Sequence, residues 1–86
     1  MNSFQILEKL ISYKTVSIDS NLELISFCQK LLENIGAKIK IIQNSENTKC
    51  NLFATIGSEN TSGIVLSGHT DVVPTEGQEW KYPAFK

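Results

Sequence analysis

Eighty-six residues with 41% hydrophobic and 20% charged content make at most one small globular domain, and they exclude a disordered or fibrous chain. A net charge of −1 with both signs intermixed leaves no basic stripe for a phosphate backbone, so nucleic acid is not an expected partner. No apolar stretch approaches the ~20 residues of a bilayer span, and Met1 to Lys9 has neither a basic leader nor an unbroken apolar run, so the expectation is a cytoplasmic protein with no membrane partner.

Phe4, Leu7, Leu10 and Ile11 recur at spacings of three and four, which predicts a first helix ending at about Tyr13. Thr15-Val16-Ser17-Ile18-Asp19 has no helical period and is expected to be a loop. Ser20 and Glu23 have the spacing of a capping box. Behind it, Leu24, Ile25, Cys28, Leu31, Leu32 and Ile35 form a wide apolar face, and Gly36 stands where a left-handed residue ends a helix. Residues 37–42 switch to period two, with Ile39 and Ile41 on one side and Lys38 and Lys40 on the other, as in a half-exposed strand near an edge. After the polar stretch 43–49, residues 52–57 resume the alternation and read as a hairpin partner.

Ile64-Val65-Leu66 shows no alternation, which predicts a central strand covered on both faces. Beyond Pro74 the periodicity disappears, and 75–86 reads as a truncated loop. The expected fold is therefore α/β, two N-terminal helices packed on a sheet of about three strands. Cys28 and Cys50 have neither metal-knuckle nor disulfide-framework spacing and are read as reduced and structural.

The chemistry sits in Ser67-Gly68-His69-Thr70-Asp71-Val72-Val73-Pro74, directly after that apolar run. In extended backbone, residues i and i+2 project from the same face, so His69 and Asp71 can address one point. A histidine and a carboxylate so placed at a strand end suggest a metal ligand with its orienting acid. The plainer reading is that His69 only hydrogen-bonds within a turn and that Asp71 initiates a loop. Gly68 is read as serving close backbone packing.

Four ordered blocks add to that pair: Thr15-Val16-Ser17, Ser20-Asn21-Leu22-Glu23-Leu24-Ile25, Asn51-Leu52-Phe53-Ala54-Thr55-Ile56-Gly57, and Ile64 through Pro74, with Gly77 and Trp80 fitting beyond them. Together they resemble the dinuclear zinc peptidases and deacylases of the aminoacylase and carboxypeptidase type, most closely the acetylornithine deacetylase branch. Such an ordered set is far more specific than His-x-Asp alone. The chain departs from the family's usual residues at Lys14, where an acid is common, at Cys50, where alanine is usual, and at Tyr82-Pro83-Ala84-Phe85, where Asp-Pro-Phe is usual.

The resemblance implies that 1–86 is an N-terminal fragment of the catalytic domain of a zinc-dependent exopeptidase fold. In the complete enzymes two zinc ions, with cobalt as an alternative, share a carboxylate and a water that attacks an amide carbonyl. His69 would bind one ion, and Asp71 would accept a hydrogen bond from its far ring nitrogen. The remaining ligands, and a glutamate acting as general base, would come from later sequence. The resemblance further implies a homodimeric complete enzyme that hydrolyses a small N-acylated amino acid, N-acetylornithine in arginine biosynthesis. The chain alone is then expected to be inactive and to need its missing C-terminal portion. The alternatives are a fragment of succinyl-diaminopimelate desuccinylase type and a non-catalytic remnant of a split or decayed gene.

Overall fold

Asn2 opens the first helix of the computed structural model, which describes residues 1–86. Its side-chain oxygen accepts from the Gln5 amide while the Gln5 side chain accepts from the Asn2 amide, both at 2.9 Å. This reciprocal pair satisfies two of the donors that a helix start leaves without partners. Helix α1 runs Ser3–Ser12 and Tyr13 caps its end, close to the limit that the apolar spacing predicts.

Helix α2 runs Leu22–Asn34. Its capping differs from expectation: Ser20 and Glu23 form no capping box, and Asn21 is the N-cap residue without a side-chain cap bond. The Asn21 amide is used across elements instead. Its Nδ2 donates to the Cys50 carbonyl and its Oδ1 accepts from the Cys50 amide, both at 2.9 Å. A carboxamide carries a donor and an acceptor side by side, so it pairs with a backbone N–H and C=O as a neighbouring strand would. At the other end Gly36, at φ +86°, donates to the Glu33 carbonyl, and the Ala37 amide reaches back to Leu32. Those two bonds make the left-handed helix stop that the glycine predicts.

Strands β1 (Lys38–Gln43) and β2 (Cys50–Thr55) pair antiparallel, with Ile39 opposite Ala54, Ile41 opposite Leu52 and Gln43 opposite Cys50. The hairpin agrees with the two alternating segments, each displaced by one or two residues. Asn44 shapes the connection by accepting the amides of Thr48 and Lys49 on its side chain, and Asn47 takes the left-handed conformation at φ 57°. One face of the hairpin lies against α2, where Leu24, Ile25 and Cys50 form the buried centre and Leu10, Tyr13, Cys28, Ile41 and Leu52 pack around it.

Two expectations need correction. The sheet has two strands, not about three: residues 64–66 are unpaired, with Ile64 91%, Val65 74% and Leu66 93% exposed. A strand covered on both faces needs pairing neighbours and packed layers, and nothing in these 86 residues reaches this segment to supply them. The second correction concerns α1, which has no buried residue and leaves Phe4, Leu7 and Ile11 exposed. Two strands spaced about 4.8 Å apart offer a face roughly one helix wide, and α2 occupies it. The radius of gyration, 15.0 Å, exceeds the ~12 Å of a close-packed domain of this length. No helix is long and apolar enough to cross a membrane.

Candidate functional site

Thr15-Val16-Ser17, expected as a plain loop, is the element that positions the site. Val16 and Val72 form an isolated parallel bridge. The Val72 amide donates to the Thr15 carbonyl at 3.0 Å and the Ser17 amide donates to the Val72 carbonyl at 3.1 Å. Thr15 and Val16 are both only 5% exposed, so their side of the crossing is well covered, whereas Ser17 and Val72 are exposed. Two hydroxyls add to the backbone bonds. Thr15 Oγ1 donates to the Thr70 carbonyl and Ser17 Oγ donates to Asp71 Oδ2, each at 2.7 Å. A segment with no regular structure of its own is thus fixed at residues 70–72.

On that fixed backbone Asp71 faces His69. Its Oδ1 lies 2.8 Å from His69 Nδ1, and its own carbonyl oxygen lies 3.1 Å from the same nitrogen. The arrangement has the i, i+2 geometry that extended backbone predicts. With a proton on Nδ1 shared toward these oxygens, the lone pair of the neutral ring resides on Nε2, which has no partner in the chain and stands in solvent. The Ser17 hydroxyl, followed by the His69 ring, holds the Asp71 carboxyl below its ordinary value, because both stabilise the ionised form.

His69, Thr70 and Asp71 form one wall of an open cleft of about 880 Å³ whose other walls are the 15–19 segment, α2 and the turn end of the hairpin. The donor set there is incomplete. No three His, Cys, Asp or Glu side chains converge anywhere in the structure to hold a metal ion. The residues fit one nitrogen donor, His69 Nε2, with Asp71 behind it. Cys28 and Cys50 also border the cleft, but both are free thiols and burial pushes both up from the ordinary thiol range, away from the thiolate that metals bind. Gly68 is not a packing glycine, since a Cβ there would meet nothing within 4 Å.

Sequence reasoning singled out His69 and Asp71, which the structure places in contact, and missed Thr15 and Ser17 as the residues that hold their segment. A signal was present: Thr-x-Ser in extended backbone places two hydroxyls on one face by the same parity that aligns His69 with Asp71.

No protein-family model matches the chain, and no solved structure matches it. Among curated proteins it is 33% identical over 81 residues to the acetylornithine deacetylase of Aliivibrio fischeri, covering 87% of this chain and 21% of that one. The acetylornithine deacetylase of Proteus mirabilis is 42% identical over 67 residues, 77% of this chain and 17% of its own. A succinyl-diaminopimelate desuccinylase of Ehrlichia chaffeensis is 32% identical over 81 residues, 91% of this chain and 21% of its own. The chain spans about a fifth of the length of the curated relatives it matches.

Proposed function

We infer that this chain, a relative of one segment of the acetylornithine deacetylases, is the part of such a hydrolase that carries one metal-binding imidazole and its orienting acid. The observation that carries the reading is the 2.8 Å contact of His69 Nδ1 with Asp71, which leaves Nε2 free beside a cleft. A ligating histidine typically donates its other ring N–H to a carboxylate, and that fixes the tautomer and raises ligand basicity. The reaction would be hydrolysis of N-acetylornithine to ornithine and acetate: water adds to the acyl carbon, the amide C–N bond breaks, and the amine takes the proton. Zinc, when bound, would bring a water near neutral ionisation. Within that chemistry His69 binds, Asp71 orients, and Thr15 and Ser17 hold the segment. The general base and the remaining ligands would come from sequence this chain does not contain.

The desuccinylase relative, 32% identical over 81 residues, favours a second substrate, N-succinyl-diaminopimelate. His69 and Asp71 serve either amide equally. A lone imidazole holds zinc weakly, since tight sites assemble three or four donors, so the isolated chain is expected to hydrolyse neither substrate. The test is an assay of the purified chain with added zinc or cobalt on both. No turnover above the metal-only control is the expected result, whereas turnover that disappears in His69→Ala would overturn the reading of an incomplete centre.

A further inference from the structure

We propose that Ser17 is a positioning residue for the His69 and Asp71 pair: its hydroxyl fixes which way the Asp71 carboxylate faces and thereby favours the tautomer with the ring proton on Nδ1 and the lone pair on Nε2. The proposal rests on the functional reading above and adds a residue to it. Each oxygen of the carboxylate has one side-chain partner, His69 Nδ1 on Oδ1 at 2.8 Å and Ser17 Oγ on Oδ2 at 2.7 Å. Rotating the carboxylate about its own bond would break both contacts together. Without Ser17, the His69 ring is the one side chain left to oppose that rotation, and at an exposed carboxylate water competes for both oxygens.

The hydroxyl is itself held from both sides. The Ser17 amide donates to the Val72 carbonyl at 3.1 Å and the Val72 amide donates to the Thr15 carbonyl at 3.0 Å, so the backbone bridge places the Ser17 backbone beside Asp71 independently of the hydroxyl. Ser17 Oγ also lies 3.4 Å from the Val72 carbonyl. A hydroxyl has one proton, and the shorter contact to an ionised oxygen takes it. The division of labour is therefore definite: backbone holds the segment, and the hydroxyl aims the acid. Because the Asp71 carbonyl also sits 3.1 Å from Nδ1, loss of the hydroxyl should weaken the ring's preference without abolishing it.

His69 is the only histidine, so the ring-nitrogen NMR signals of the ¹⁵N-labelled chain report this site alone. With the ring neutral, the wild-type chain should be mainly the Nδ1–H form. Ser17→Ala should lower the ratio of Nδ1–H to Nε2–H about threefold to tenfold, the weight of one hydrogen bond, with the Ser17→Ala chain keeping the amide signals of residues 17 and 72 in place. Ser17→Thr, which restores a hydroxyl, should return the wild-type ratio. An unchanged ratio in Ser17→Ala overturns the proposal. So does loss of the two bridge amide signals in Ser17→Ala, because the hydroxyl would then be holding the backbone, and so does a Ser17→Thr chain that behaves as the alanine variant does. A wild-type ring found mainly as Nε2–H would instead sink the pairing of Asp71 with His69, and with it the underlying reading.

Discussion

Asp71 accepts its strongest help from a residue 54 positions away, the Ser17 hydroxyl. That bond and the His69 contact hold its carboxyl below the ordinary value. A carboxyl so lowered stabilises the fold above the unfolded-state value of ~3.9 and stops doing so as pH falls through its lower folded value. Wild type should therefore lose more urea resistance between about pH 5 and pH 3 than Asp71→Asn does, read from denaturation midpoints at each pH. Equal losses would mean that the contact does not favour the ionised acid. The thiols give a second check at this scale. Burial pushes Cys28 and Cys50 up, so both should react slowly with a disulfide reagent in the native chain, Cys50 more slowly because it is the more buried, and both should react fast in denaturant. At the residue scale the local pair was legible because parity along an extended backbone needs no partner segment. Ser17 was not, because its meaning depends on a crossing with Val72 that no local pattern announces.

At the scale of elements, local chemistry and long-range contacts compete, and the outcome can be tested at two residues. Gly36 ends α2 at φ +86° with open space around a would-be Cβ. Gly36→Ala should therefore cost about 1–2 kcal/mol from left-handed backbone strain alone, measured by chemical denaturation. Asn21→Ala removes both partners of the Cys50 backbone and should cost roughly 1–3 kcal/mol, the penalty for leaving partly buried polar groups unpaired. An unchanged stability would contradict the clamp. Helix α2 and the hairpin were readable because their apolar residues follow periods of 3.6 and two, which encode one buried face each. Residues 64–66 carry no period. An unbroken apolar run states only that it needs cover on every side, and that cover is a property of neighbours, so the local pattern could not reveal whether these 86 residues supply it. The Ser20 and Glu23 signal failed because α2 starts one residue later: Asn21 takes the N-cap position, and Ser20 Oγ accepts only from the Leu22 amide.

On the scale of the whole molecule, only six of 86 residues are buried. Such a core leaves little net stability once chain entropy is counted. Unpaired backbone bearing exposed Ile64, Val65 and Leu66, together with the exposed apolar residues of α1, is a template for association. The isolated chain should self-associate with rising concentration, and Val65→Lys should reduce that association, as followed by sedimentation velocity. A wild-type chain that stays monomeric at every concentration would count against an open edge at 64–66. The central claim, that His69 is one donor of a hydrolytic centre completed by other sequence, is tested most directly by substituting residues 1–86 for the matching segment of the Proteus mirabilis acetylornithine deacetylase and measuring N-acetylornithine hydrolysis. The chimera should turn over substrate, with about a 10- to 100-fold loss in Asp71→Asn and a larger one in His69→Ala. A folded chimera that hydrolyses nothing, or one in which His69→Ala works as fast as its parent, would contradict it.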